Sequence, residues 1–271
     1  MRALWIIAAI LALLSGAVSA GEGSALKSLM TRNDSKGWEA VGRLNFGGRN
    51  FCTGALIAPD LVLTAAHCLY DTENGRQFTA HEIEFLVGLR NGRADASRGI
   101  RRAIPHPDFE FSGSDRVVRV AYDVALLQLD RPVRSASITP FETQVRPRKG
   151  AQVGVVSYGH DRAESAALQE VCYVLARRSG TLVLSCDVDF GSSGAPIFSI
   201  DESGVARIVS VVSAKAKVRG RNVALGTSLE MPLRDLMALL ANTQIGADEG
   251  GVRVLSFSGS SAGSGANFLR P

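Results

Sequence analysis

The sequence predicts an all-β protein: two β-barrels or sandwiches joined by a linker, with one helix near the C-terminus. Three observations carry this. From Gly37 onward, apolar runs of strand length recur between clusters of Gly, Asn, Asp and Pro. Glycine makes up 28 of the 271 residues, which points to many turns. A charged, proline-containing stretch over residues 131–150 divides the runs into two sets.

The first set holds candidate strands at 41–46, 52–58, 60–66, 82–88, 99–104 and 124–130. The second holds 151–158, 168–177, 181–187, 195–200, 205–214 and 223–229. Glu82-Ile83-Glu84-Phe85 alternates polar and apolar, as a strand with one buried face requires. The two bodies of strands cover about 37–135 and 146–230. Past the last strand, Pro232 is followed by Leu233, Leu236, Leu239 and Leu240 at helical spacing, which predicts a helix over 232–242.

The ends read differently. Met1-Arg2 is a short positive start, residues 3–14 are unbroken apolar, and small residues lead to a cleavage position after Ala20. This is the anatomy of a secretory signal peptide over 1–20. Its apolar run is shorter than the ~20 residues of a membrane-spanning helix. The mature protein is therefore expected in the periplasm or outside the cell, with no membrane anchor after cleavage. Residues 21–36 are small and polar and read as a mobile leader or propeptide. Residues 246–271 are Gly/Ser-rich and read as a flexible tail.

Composition excludes several functions. Hydrophobic residues at 46% rule out a disordered chain. A formal net charge of +4, one less when Arg2 leaves, is too small for a nucleic-acid footprint. The basic groups Arg98, Arg101, Arg102 and Lys215, Lys217, Arg219, Arg221 read as solvated edges. No P-loop, dinucleotide fingerprint or paired metal-ligand spacing is present, so neither cofactor nor metal is expected. Cys52, Cys68, Cys172 and Cys186 read as disulfides in an oxidising space, with three pairings open.

Three segments carry chemistry. CTGALIAPDLVLTAAHC, residues 52–68, ends an apolar strand on His67. YDVALLQL, residues 122–129, opens an apolar strand with Asp123. CDVDFGSSGAPIF, residues 186–198, sets Ser193 in a glycine-flanked turn. A serine hydroxyl is a poor nucleophile until an imidazole takes its proton. The imidazole needs a buried carboxylate to hold its tautomer, and the developing oxyanion needs backbone N–H donors. Singly, each segment is an ordinary strand end or turn; together they supply every part.

On these residues the chain resembles the trypsin-like (chymotrypsin-fold) serine proteases. TAAHC (64–68), DVALLQL (123–129) and GSSGAP (191–196) match that family's His, Asp and Ser motifs, in the family's order. The resemblance runs from about 37 to 243 and implies a protease domain over 37–245. It implies two six-stranded antiparallel barrels with the site in the cleft between them. It implies His67 as general base, Asp123 as its orienting carboxylate, Ser193 as nucleophile, and the N–H groups of Gly191 and Ser193 as oxyanion hole. It implies the disulfides Cys52–Cys68 and Cys172–Cys186, and a monomer acting on protein or peptide substrates.

Two departures matter. The digestive members carry GDSGGP, whose Asp pairs with a new N-terminal ammonium after zymogen cleavage; here Ser192 stands in its place. The CDVDFGSSGAP string lies closer to bacterial secreted members, including the glutamyl-endopeptidase branch. The substrate-binding residues implied are Asp187, at the base of the primary pocket, and the edge strand Ser213-Ala214-Lys215. Asp187 favours Arg or Lys before the cut, while Lys215 narrows or charges the pocket. Val212, where a glutamate-cleaving site carries His, argues against that branch. His81, His106 and His160 read as turn residues. Two other functions compete: a silent homologue that binds a partner, and an esterase on the same triad.

Overall fold

The computed structural model describes residues 23–48, 50–144 and 147–242. The signal-peptide and tail readings lie outside the described residues. The first barrel closes in the order β2 (Val41–Phe46), β3 (Asn50–Ala58), β4 (Leu61–Thr64), β7 (Ala125–Leu129), β6 (Ala96–Pro105), β5 (Ile83–Val87). The second closes as β8 (Gln152–Gly159), β9 (Arg162–Arg178), β10 (Thr181–Leu184), β13 (Arg221–Ser228), β12 (Ala206–Val218), β11 (Pro196–Ile200). All the pairings within the barrels are antiparallel.

Side-chain alternation drives closure. In β5, Ile83, Phe85 and Val87 point inward while Glu84 faces water. Leu44 of β2 sits opposite Cys52 on one side and Phe85 on the other, so one fully buried leucine ties three strands. The barrels share an aromatic seam. Phe198 of β11 packs 5.0 Å from Trp38 and 4.7 Å from Phe141. The helix over 232–242 buries Leu233, Leu236 and Leu240, but Leu239 is turned toward solvent at 39% exposure.

Three features depart from the sequence expectation. β12 runs on past Ala214 to Val218, because Lys215 and Lys217 occupy the outer face of a hairpin with β13. A short helix, Arg116–Ala121, lies just before Asp123, started by the Asp115 carboxylate accepting from the N–H groups of Val117 and Val118. The segment read as a mobile leader is seated on the second barrel. Within it, β1 (Lys27–Ser28) pairs with β9, and Leu29 is 3% exposed. Leu29, the pairing with β9 and the bonds of Ser24 to Gln169 and Val171 hold it, a signal too short to stand out among polar residues.

Candidate active site

β4 is buried along its whole length and delivers the chain to Ala65 and Ala66, both 0% exposed. The 3₁₀ turn Ala66–Leu69 then swings His67 out at the barrel end. The Cys52–Cys68 disulfide fastens this turn to β3. Cys172–Cys186 is formed as well, tying β9 to the loop after β10. Two such bridges fit an oxidising compartment.

Asp123 arrives between the helix Arg116–Ala121 and β7 and is 3% exposed. Thr227 of the second barrel steadies this stretch, its hydroxyl donating to the Val120 carbonyl at 2.7 Å. The Asp123 carboxylate is fully engaged. Oδ1 accepts from the His67 backbone N–H at 2.8 Å, and Oδ2 meets His67 Nδ1 at 2.7 Å. Ser213 Oγ also donates to Oδ2, at 2.5 Å. A carboxylate held at Nδ1 keeps that nitrogen protonated, leaving Nε2 as the proton acceptor. Burial alone would lower the His67 pKa, but the Asp123 charge and hydrogen bond outweigh it, so the net shift is upward.

Ser193 lies across the cleft from His67; both line one cavity of about 450 Å³. Its carbonyl accepts from the Thr53 N–H at 2.9 Å, while its hydroxyl makes no hydrogen bond among the described residues. The loop around it needs glycine. Gly191 has φ +93°, and a Cβ there would collide with the Phe51 ring. Gly194 has φ +75°, and a Cβ there would collide with Thr64 and the Thr53 carbonyl. The N–H groups of Gly191 and Ser193 donate to no described group, whereas the Ser192, Gly194 and Ala195 N–H groups are all bonded.

Ser192 is 0% exposed. Its hydroxyl lies 3.0 Å from the Tyr158 carbonyl and 3.2 Å from Ser157 Oγ. It accepts from Arg162 Nη2 at 3.3 Å. Arg162 was not singled out in the sequence, where it is one arginine in a polar turn.

Ser213 binds the Asp123 carboxylate with its side chain. Beyond Val212, β12 pairs only with β13, so the Ser213–Lys217 edge is open. A second cavity, about 310 Å³, is lined by Asp187, Val188, Lys215 and Asn222 among others. Lys215 Nζ lies 3.6 Å from Asp189 and takes part in no other described ion pair. Asp187 is exposed and takes part in no described ion pair; its N–H donates to Gln169 Oε1 at 2.8 Å.

Of the remaining histidines, His106 opens a turn, its carbonyl accepting from the Phe109 N–H at 3.0 Å, but it is buried. It is 2% exposed and stacks on Tyr122 at 4.9 Å, and burial lowers its pKa. His160 lines the 450 Å³ cavity. One group of potential metal ligands, Cys52, His67 and Cys68, occurs among the described residues. Both of its sulfurs are committed to a disulfide and offer no thiolate.

Residues 30–228 match the family model described as Trypsin. The Suppressor of tumorigenicity 14 protein homolog of Bos taurus is 30% identical over 197 residues, covering 62% of this chain and 22% of its own length. Transmembrane protease serine 5 of Homo sapiens is 32% identical over 128 residues, 45% of this chain and 26% of its own length. The solved structure of a Glu endopeptidase in complex with MPD has a TM-score of 0.66 at 17% identity, covering 82% of this chain and 98% of that one. The chain belongs to the trypsin family of serine-type endopeptidases, whose members act on protein or peptide substrates. It spans about a quarter of the length of these curated relatives, both of them animal proteases. No helix among the described residues is long and apolar enough to cross a membrane.

Proposed function

We propose that the chain is an exported serine endopeptidase that cleaves through an acyl-enzyme. The observation that carries this is the Asp123–His67 pair, fully hydrogen-bonded on the carboxylate side, opening onto the cleft that holds Ser193. Ser193 Oγ attacks the scissile carbonyl while His67 takes its proton. The oxyanion forms against the Gly191 and Ser193 N–H groups, and His67 passes the proton to the leaving amine. Water repeats the sequence to release the acid. The open Ser213–Lys217 edge accepts the acyl half of the substrate as an added strand.

Selection of Arg or Lys before the cut is supported by the charge arrangement. Asp189 answers the Lys215 ammonium, while Asp187 faces the 310 Å³ cavity with no described ion pair. Export rests on the signal-like residues 1–20 and fits the two disulfides. The motif lean toward bacterial secreted members agrees with an oxyanion loop braced by Arg162 and not by a new N-terminus.

The test is fluorophosphonate labelling with peptide turnover. Wild type should label on Ser193 and cleave peptides; Ser193→Ala should do neither, with turnover down on the order of 10⁶-fold. A folded wild type that takes no label would indicate the silent binding homologue. Label with ester but no peptide turnover would indicate the esterase.

A further inference from the structure

We propose that the cleft beside His67 is a subsite for a large apolar or aromatic residue immediately after the scissile bond, with Phe190 and Phe51 setting its preference. The inference rests on the endopeptidase reading and names the leaving half of its substrate.

One cavity is lined by both His67 and Ser193, and chemistry decides which half of the substrate it receives. In acylation Ser193 Oγ bonds the carbonyl carbon, the C–N bond breaks, and the proton His67 took from Ser193 goes to the leaving nitrogen. The proton donor must face that nitrogen, so the leaving half lies over His67 and the neighbouring Cys52–Cys68 bridge. That is the cavity of about 450 Å³, lined by His67, Ser193 and both cysteines. The 310 Å³ cavity is lined by neither His67 nor Ser193 and falls to the acyl half.

The leaving-side cleft is aromatic. Phe46, Phe51, Tyr70 and Phe190 line it, and no Asp, Glu, Lys or Arg does. Phe51 is held in place. The Arg43 guanidinium covers its ring at 4.4 Å, and His160 stacks on it at 6.0 Å. Phe51 also fills the space beside Gly191, so this wall and the oxyanion loop are one packed unit. Phe190, next to Gly191, is 81% exposed, the most exposed large apolar side chain described. A phenylalanine left in water at the lip of such a cleft gains by being covered. A substrate residue with apolar surface covers it; glycine or aspartate does not. A cleft of this volume and lining fits the usual character of a side-chain site.

The experiment isolates this side. An ester is chosen whose acyl residue, among Arg, Lys, Glu and Leu, is turned over fastest. The acyl-enzyme is then offered glycinamide, aspartic acid diamide, leucinamide and phenylalaninamide in competition with water. The amine attacks the acyl carbon, gives its proton to His67, and Ser193 Oγ departs with that proton. Phenylalaninamide and leucinamide should capture the acyl group at concentrations about tenfold below glycinamide, and Phe190→Ser should shrink that ratio at least threefold. Phe190 is exposed, so the variant folds, and the ratio between amides is independent of overall rate. Equal capture of all four amides, or an unchanged ratio in Phe190→Ser, overturns the subsite while leaving the endopeptidase intact. Absence of any ester turnover by folded wild type overturns the endopeptidase reading, and the subsite with it.

Discussion

Arg162 Nη2 lies 3.3 Å from Ser192 Oγ, directly beneath the loop that presents the Gly191 and Ser193 N–H groups. The same nitrogen lies 3.2 Å from Ser157 Oγ, so one guanidinium spans two buried hydroxyls. Its side chain is 12% exposed, and Nη1 reaches the exposed Asp161 at 2.8 Å. Gly159 leaves the room: a Cβ there would lie 2.6 Å from the Arg162 guanidinium carbon. A cation thus sits under the Gly191–Ser193 loop from within the folded chain, and its partner there is a neutral serine.

Removing that cation should loosen the loop without touching substrate. Arg162→Ala is expected to lower kcat about 10- to 100-fold with KM little changed, since lost positioning of this kind costs on the order of 10²-fold. Arg162→Lys should recover part of the loss. Steady-state kinetics on a peptide substrate check this. Wild-type kcat in Arg162→Ala, with the protein folded, would remove Arg162 from the mechanism.

Activity should not depend on one particular N-terminus. Chains starting at residues 21, 23 and 31 are expected to share one kcat, because Ser192 is bonded internally. The start at 31 should melt lower, having lost β1 and the buried Leu29. Removing a buried leucine costs roughly 2–5 kcal/mol. Parallel kinetics and thermal melts measure both. Activity restricted to a single start point would overturn the idea.

The pH profile should be displaced upward. His67 acts as base only when neutral, and its pKa is raised above 6.5 by Asp123 against the opposing effect of burial. The rate of ester cleavage should therefore rise with pH with a midpoint above 6.5. Asp123→Asn should bring the midpoint down and cut kcat on the order of 10⁴-fold, the loss such triads show. The sign for stability is opposite to that for rate. Protonated His67 contributes fully below about pH 6.5, and that contribution is lost as pH rises through the raised folded pKa. A wild-type midpoint at or below 6.5 would contradict the geometry.

The charge in the acyl-side cavity should be reversible. Asp187→Lys is expected to lower kcat/KM for Arg and Lys esters at least tenfold and to improve Glu esters relative to them. Asp187 is exposed, so stability should change little. A profile of kcat/KM across Arg, Lys, Glu and Leu esters reads this out, and an unaltered ranking would take Asp187 out of substrate selection.

Each of the twelve barrel strands was legible in the sequence from its apolar run or its alternation, although β6 buries only Ile100. β1 and the helix Arg116–Ala121 were not. β1 is two residues long, and the helix is a valine-rich turn made stable by the Asp115 cap and its packing beside β13. Local propensity says little about segments whose order comes from neighbours.

The candidate nucleophile, base and carboxylate were also legible, since each sits in a short motif that the family resemblance carries. Arg162, Ser213's bond to Asp123 and the aromatic cleft belong to tertiary structure. Arg162 and Ser192 are 30 residues apart, and Ser213 and Asp123 are 90 apart. Phe51 and His160 come from different barrels. By itself, then, the sequence determined the all-β class, the strand positions and the types of candidate catalytic side chain. Only closing both barrels decided which polar groups meet at Ser192, and which aromatic rings line the cavity beside His67. Hydrogen bonds and ring contacts at this separation depend on where strands from two sheets converge, and no local pattern encodes that.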